Sequence, residues 1–256
     1  MRKEISLGEA ERLIKLTAIE EVGEIAKLDV NRYLRTGCPE IILAEGKSLD
    51  DLSKIVIKGL ERSGRVIISK MNEGQLKFIQ KNISNNFITT VNKKARIMVI
   101  KKKDLIFESY DGKVGILTAG TSDIPIAEEA RVVAEEMGCT VFTAYDVGVA
   151  ALHRLLQPLK ELIQNDVDSL IVVAGREGAL PSVVAGLVDI PVIGVPTSIG
   201  YGLGEKGISA LMAMLQACSL GLAVVNIDGG VAAGAIAALI ANRVAKARNS
   251  NTATQF

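Results

Sequence analysis

The chain has 256 residues, 48% of them hydrophobic and 23% charged, which suits one large or two modest folded domains and excludes a disordered chain. The net charge of +1 argues against a dedicated nucleic-acid-binding protein. Three scattered cysteines exclude a disulfide framework, and the charged first residues do not form a secretory signal, so we expect a protein of the reducing cytoplasm.

Charge and glycine are distributed unevenly along the chain. Residues 1–110 contain 21 Lys and Arg against 15 Asp and Glu, a net charge of +6, and 7 of the 24 glycines. Residues 111–256 contain 9 against 14, a net charge of −5, and the other 17 glycines. This shift predicts two domains: a smaller, basic N-terminal α+β domain over residues 1–111 and a C-terminal domain over residues 112–256.

The N-terminal half mixes short elements. Its first segment predicts a charged amphipathic helix over residues 9–27, and later apolar runs predict strands within PEIILAE, VIISK, ITTV and ARIMVIK. A helix is expected from Ser48, with its acidic first turn, to Gly64. The basic run KKARIMVIKKK contains no aromatic residue to stack on bases, so it indicates a solvated strand rather than a nucleic-acid site.

The C-terminal half alternates strands with helices. Strands are predicted in KVGILTAG, CTVFTAY, SLIVVAG, PVIGVPT and LAVVNID, with a helix after each of them. Uninterrupted apolar runs are typical of strands buried on both faces, so we predict an α/β fold with an open parallel sheet. Residues 207–227 carry no charge and reach the length of a membrane span, but the CSLG break predicts a buried helix and strand instead.

Small and polar residues follow these strands, at the edge where parallel sheets bind ligands. Candidate site residues after the first three strands are Gly120, Thr121, Ser122, Asp123, Tyr145, Asp146, Gly175, Arg176, Glu177 and Gly178. The later candidates are Ser198 and Tyr201 in a glycine-rich covering loop, and Asp228, placed for a ribose hydroxyl or a metal. Two alternatives remain open: Ser122 and Asp123 simply cap a helix, and Arg176 and Glu177 form a surface salt bridge.

Cys218 precedes a strand, unlike the other candidates. We therefore expect it at the opposite edge of the sheet, where it is either an inert thiol or part of a site that a folded-back turn or a neighbouring subunit completes. His153 is the single histidine and lies inside a predicted helix. Both Ser-His-Asp catalysis and a zinc cage are thereby disfavoured.

Residues 113–243 resemble the phosphoribosylaminoimidazole carboxylase (PurE-like) family through TAGTSD and AGREGALPSVVAGLVDIPVIGVPTS. Residues 25–245 resemble, more closely, the LarB family of nickel-pincer nucleotide biosynthesis, through RTGCPEIILAEGKS, AGTSDIPIAEEA, TAYDVGVAALHRL, SIGYG and ACSLGLAVVNIDGG. The resemblance implies a PurE/flavodoxin-like three-layer sandwich for the C-terminal domain. The chain differs from the purine enzymes at two strings. They carry a histidine in A-H-R-T-P and another in A-H-L-P, whereas this chain has AYDVG and GALP at those places.

The resemblance to LarB also implies an activity. It is carboxylation of the pyridinium ring of nicotinic acid adenine dinucleotide (NaAD) at C5 with CO2, through a cysteine adduct. Hydrolysis of the phosphoanhydride then gives AMP and pyridinium-3,5-biscarboxylic acid mononucleotide. Mg²⁺ is a possible cofactor with no assigned ligands, and the implied assembly is a homo-octamer without nucleic-acid or membrane partners.

The same resemblance implies the residue roles. Cys218 is the nucleophile, and Arg176 and Glu177 orient the substrate and CO2 or take the ring proton. Phosphate or the ring carboxylate is bound by Gly120, Thr121, Ser122 and Asp123, and the ring is bordered by Tyr145 and Asp146. Ser198 and Tyr201 belong to the covering loop, and Asp228 binds ribose or a metal. Further anion contacts come from Arg32, Arg35 and Lys47. The rival functions are aminoimidazole ribonucleotide carboxylation and a non-catalytic nucleotide-binding regulatory subunit.

Overall fold

The computed structural model describes residues 6, 8, 9, 19–29, 31–105 and 110–253. The chain divides into two compact units, residues 1–106 and residues 107–256, each with its own sheet and core.

The N-terminal unit contains a hairpin of β1 (Glu20–Val22) and β2 (Ala26–Leu28), followed by the short helix α1 (Arg32–Thr36). The helix predicted over residues 9–27 is confirmed at Glu9 and wrong for residues 19–27, and residues 10–18 lie outside the described part of the chain. Gly23 takes a positive φ of 53° and turns the chain, so that Val22 and Leu28 are both buried in the core. A two-residue alternation thus prevails over the helical spacing in this segment.

A four-stranded sheet forms the rest of this unit. Its order is β3 (Ile41–Leu43), β4 (Arg65–Ser69), β6 (Ile97–Lys102), β5 (Phe87–Asn92), with β3 parallel to β4 and the other pairs antiparallel. Helix α2 (Leu49–Ser63) confirms the predicted start and end: the Ser48 side chain accepts a hydrogen bond from the Asp51 amide, and Gly64 is left-handed. Helix α3 (Glu73–Asn82), capped by Asn72, was not predicted.

The C-terminal unit contains the predicted parallel sheet. Its strands are β7 (Lys113–Thr118), β8 (Thr140–Ala144), β9 (Ser169–Ala174), β10 (Val192–Pro196) and β11 (Leu222–Val224). Their spatial order is β8-β7-β9-β10-β11, and every pair is parallel. This is the doubly wound order of flavodoxin-like folds, which confirms the predicted α/β class.

Helices cover both faces of this sheet. They are α4 (Ile124–Glu136), α5 (His153–Gln164), α6 (Leu180–Ala185), α7 (Ile208–Leu215) and α8 (Gly230–Ala253). Apolar side chains of α5, α6 and α7 share one core with the sheet, whereas α8 lies on the other face beside α4, where the Ala237 carbonyl accepts a hydrogen bond from Ser169 on β9. Helix α5 begins later than predicted because a 3₁₀ turn, Val149–Ala151, precedes it.

Two apolar segments of this unit reach the length of a membrane span. Residues 207–227 divide into α7 and β11, as predicted. Residues 230–250 of α8 are long and apolar enough to cross a membrane by length and composition alone. That helix packs closely on α4, since a Cβ at Gly234 would lie 2.5 Å from the Ala130 carbonyl oxygen. Its buried alanines, Ala233, Ala237 and Ala241, belong to the domain core.

Candidate functional site

The site lies at the carboxyl edge of the C-terminal sheet, between β7 and β9. The chain leaves β7 towards β8 on one side and leaves β9 towards β10 on the other, so the crevice between them is a topological switch point. Ligands of doubly wound folds bind in such crevices. Three segments border it: the β7 loop (residues 119–123), the β9 loop (residues 175–179) and the β10 loop (residues 197–207).

The Asp123 carboxylate joins these three loops. One oxygen, Oδ2, accepts the Gly120 amide at 2.9 Å, and the other, Oδ1, accepts the Thr197 hydroxyl at 2.7 Å. The Gly175 amide donates a further hydrogen bond to the same carboxylate. Asp123 is only 4% exposed, and burial raises its pKa above the ordinary range although these three donors lower it. The charge of Asp228 also raises this pKa.

The exposed end of the β7 loop is a candidate position for binding an anion. The Gly120 amide is already used by Asp123, whereas Thr121 and Ser122 are exposed immediately before α4. Two exposed hydroxyl groups beside the positive end of a helix dipole suit a phosphate or carboxylate group. The Ile124 amide donates to the Thr121 carbonyl and Pro125 has no amide proton, so the predicted anion site is reduced to Thr121 and Ser122.

Arg176 connects the β9 loop to the β10 loop. Its amide donates to the Ile199 carbonyl at 3.2 Å, and its guanidinium lies over the Tyr201 ring, 4.4 Å from the centroid. Arg176 and Glu177 are both exposed, and Arg176 has a positive φ of 51°. Cation and carboxylate therefore stand at the mouth of the crevice, where they can meet a charged substrate.

The two glycines of the β9 loop are required by close packing. A Cβ at Gly175 would lie 2.5 Å from the Ile199 carbonyl oxygen and 2.6 Å from the Thr197 hydroxyl. Gly178 has a φ of +63°, and a Cβ there would lie 2.6 Å from the Ala210 carbonyl oxygen. These glycines shape the crevice by allowing the β10 loop and α7 to approach it.

Asp228 closes the crevice on the far side of β10. Its Oδ1 accepts the Ser198 amide at 2.9 Å, and its own amide donates to the Pro196 carbonyl at 2.9 Å. The second carboxylate oxygen remains a candidate acceptor for a ribose hydroxyl. Among the residues that the structure describes, no group of three or more His, Cys, Asp or Glu side chains is placed to hold a metal ion.

Tyr145 and Asp146 follow β8, but their side chains bond to helices. The Tyr145 hydroxyl donates to the Glu128 carboxylate on α4, and burial followed by this hydrogen bond raises the pKa of Tyr145 to about 12. Asp146 forms an ion pair with Arg154 of α5 at 2.6 Å, and its amide donates to the Thr118 hydroxyl. The predicted contact of these two residues with the substrate ring is therefore without support from their geometry.

Cys218 is exposed and lies in the turn between α7 and β11 (residues 216–221, called the Cys218 turn). The Gly221 carbonyl accepts the Val192 amide at the first residue of β10, and the Ser219 hydroxyl donates to the Ser182 carbonyl at 2.6 Å. The turn therefore lies at the amino edge of the sheet. Five residues of β10, about 16 Å of strand, separate it from the crevice. The predicted position of Cys218 is confirmed, and a folded-back turn is excluded.

In the N-terminal unit, the Arg35 guanidinium forms an ion pair with the Asp29 carboxylate. A guanidinium nitrogen of Arg32 lies 3.8 Å from a carboxylate oxygen of Glu40. Both guanidinium groups thus face carboxylates, and their predicted anion contacts, like that of Lys47, stay predictions.

Sequence reasoning missed Thr197, which is fully buried. A signal existed, because it is a hydroxyl residue directly after the apolar run VIGVP.

Comparison with known proteins agrees with this architecture. Residues 113–255 match the family model of AIR carboxylase, and residues 19–103 match that of the LarB/PurE-like N-terminal domain. The chain is similar to the uncharacterized protein MJ0165 of Methanocaldococcus jannaschii, with 51% identity over 93% of this chain and 92% of that protein.

Two N5-carboxyaminoimidazole ribonucleotide mutases are more distant relatives. That of Methanocaldococcus jannaschii is 32% identical over 55% of this chain and 83% of the mutase, and that of Thermotoga maritima is 29% identical over 50% and 74%. These matches support an enzyme of the carboxylase and mutase type. With a PurE-like parallel sheet following a LarB-type N-terminal domain, the chain belongs to the LarB family, whose C-terminal domain is PurE-like.

Proposed function

We propose that the protein carboxylates the pyridinium ring of NaAD at C5 with CO2 and cleaves the dinucleotide to AMP and pyridinium-3,5-biscarboxylic acid mononucleotide, for nickel-pincer nucleotide synthesis. The exposed thiol of Cys218, in a chain without histidine at the ends of the strands, carries this proposal. Family membership supports the carboxylase part of it. The substrate and the adduct are what the resemblance to LarB implies, and the reactivity of the pyridinium ring supports them.

A pyridinium ring is electron-poor and does not attack CO2. Addition of the Cys218 thiolate next to the ring nitrogen moves an electron pair into the ring and makes C5 enamine-like. C5 then forms the bond to CO2, a base removes the C5 proton, and the C–S bond breaks as aromaticity returns. Thiolate serves both steps because it is a strong nucleophile and also a good leaving group.

The residues of the crevice supply the charges that this substrate needs. We assign Arg176 to the ring carboxylate or CO2, Glu177 to the C5 proton, and Thr121 and Ser122 to a phosphate; all four side chains are exposed. Tyr201 and Ser198 belong to the covering loop, and Asp228 to the ribose. Mg²⁺, the proposed cofactor, would bind to the phosphates of the substrate and would assist the phosphoanhydride cleavage.

Cys218 and the crevice lie at opposite edges of one sheet, so the proposal requires a second copy of the chain. Large apolar side chains surround the Cys218 turn in an exposed state: Met212, Leu215 and Leu220 are 61%, 65% and 91% exposed. A soluble chain commonly buries such a patch against another subunit. We propose a homo-oligomer, the octamer of the family resemblance, in which this turn reaches the crevice of a neighbour.

The test is an assay of the purified protein with NaAD and bicarbonate, followed by mass spectrometry of product and protein. We expect AMP, the dicarboxylated mononucleotide and a transient adduct on Cys218. Cys218→Ser and Cys218→Ala should lose at least about 100-fold in rate, whereas Cys38→Ser, the matched control, should keep it. Full activity of Cys218→Ser would remove the covalent mechanism.

The same assay separates the rival functions. Turnover of aminoimidazole ribonucleotide instead of NaAD would identify a purine carboxylase, which the AIR carboxylase match favours and the missing histidines disfavour. Reversible binding of the dinucleotide with neither product nor adduct would identify a regulatory subunit.

A further inference from the structure

Thr197 is a buried polar residue of the crevice that has no role in the proposed reaction. It follows the last residue of β10, is fully buried, and donates its hydroxyl proton to Asp123 Oδ1 at 2.7 Å. A threonine hydroxyl buried against a carboxylate is a charge-assisted hydrogen bond, which is stronger than one between neutral groups. The bond therefore joins the β10 loop to the β7 loop.

The two further hydrogen bonds to the Asp123 carboxylate come from the backbone. The amides of Gly120 and Gly175 donate to the same carboxylate, and the missing Cβ of Gly175 leaves room for the Thr197 hydroxyl. Thr197 is thus the side chain through which the β10 loop is tied to the β7 loop. Burial raises the pKa of Asp123, which means that its charge is costly and depends on each donor.

We propose that Thr197 is a positioning residue for phosphate binding: by holding Asp123, it keeps Thr121 and Ser122 in the geometry that receives a phosphate group of the nucleotide substrate. This inference rests on the proposed nucleotide site but not on the identity of the nucleotide. Thr197 itself touches no reacting atom. Its loss should therefore weaken substrate binding and leave the chemical step nearly intact.

The isosteric change Thr197→Val removes the hydroxyl and leaves Asp123 Oδ1 without its donor. Hydrogen bonds to charged groups have energies that correspond to about a 10-fold to 100-fold effect, so we expect KM for the dinucleotide to rise by that factor with kcat within about threefold. Thr197→Ser keeps the hydroxyl and should restore KM. Thr140→Val, an exposed threonine on β8, is the matched control and should change neither constant.

A binding experiment separates this inference from the proposed reaction. Isothermal titration of NaAD and of aminoimidazole ribonucleotide into Cys218→Ser, with and without Thr197→Val, measures phosphate-ester binding without turnover. A parent that binds only the purine nucleotide refutes the proposed substrate but supports Thr197 if Val weakens that binding. Equal affinity with Thr and Val, failure of Ser to rescue, or a parent that binds neither nucleotide would overturn the positioning role.

Discussion

Cys139 and Cys218 show how strongly burial decides the chemistry of one side-chain type. Cys139 is buried beside α8, where its sulfur lies 3.4 Å from the Asn242 side-chain oxygen. Burial, with a smaller contribution from the charge of Asp168, raises the pKa of the Cys139 thiol to about 12. Cys218 is exposed in its turn. The nucleophile assigned from the sequence is thus also the accessible one of this pair.

A thiol reagent should distinguish these two cysteines. At pH 8 a thiol with a pKa of about 12 is ionised to only about one part in ten thousand. We expect a disulfide reagent to label Cys218 much faster than Cys139, as measured by mass spectrometry of the intact protein and its peptides. NaAD should protect Cys218. Rapid labelling that survives in Cys218→Ser and maps to Cys139 would contradict this assignment.

Tyr145 predicts a stability change at alkaline pH. Its pKa rises from 10.0 to about 12 on folding, so the folded state keeps a proton that the unfolded state releases. The stabilisation is complete below pH 10 and is lost as the pH rises through about 12. Urea unfolding should show that Tyr145→Phe loses less stability than the wild type between these values. Parallel curves for the two proteins would refute the environment described for this hydroxyl.

Local patterns predicted most elements because the signals for each lie within a few neighbouring residues. Strands β7, β9 and β10 are largely buried apolar runs, whereas the edge strands β8 and β11 are partly exposed. Helix α2 has both its serine cap and its terminal glycine in the sequence. The β1–β2 hairpin was missed because its strands are only three residues long, too short for an alternating pattern to outweigh a helical one. The candidate site residues that follow the strands share one edge of the sheet, because strand direction alone brings them there.

The contacts within the site could not be read from the sequence. Thr197 and Asp123 are 74 residues apart, and their bond depends on the order in which β7, β9 and β10 lie in the sheet. Tyr145 follows β8 directly, and Asp123 lies in the loop after β7. The Tyr145 hydroxyl nevertheless donates to Glu128 on α4 and not into the crevice. A position at the edge is set by topology, whereas the direction of a side chain is set by the partner that satisfies it.

The contact of α8 with α4 gives a prediction at the scale of elements. Alanine normally stabilises a helix relative to glycine, by up to about 1 kcal/mol. Gly234→Ala should instead destabilise by about 1–3 kcal/mol, because the new methyl group would overlap the backbone of Ala130 and force the helices apart. Urea unfolding measures the difference. Gly186→Ala, whose Cβ would meet its nearest atom at 3.5 Å, is the control and should be nearly neutral.

At the scale of the whole molecule, the proposed active site is divided between chains. Co-expression of Cys218→Ser with Arg176→Ala tests this division, because each variant lacks a different half of the site. If neighbouring subunits share a site, mixed oligomers should regain about one quarter of wild-type activity at low NaAD concentration, as random pairing of subunits requires. Activity no higher than that of the separate variants would place both residues in one chain's site.

The length of β10 has a consequence for how such an enzyme would be controlled. A rigid strand keeps the thiol and the crevice of one polypeptide permanently apart. Under the proposed mechanism, a lone subunit would hold the nucleotide yet never attack it. Specific activity would then fall on dilution with the dissociation of the particle, while nucleotide affinity changed less. Assembly itself would act as the switch that turns a binding protein into a catalyst.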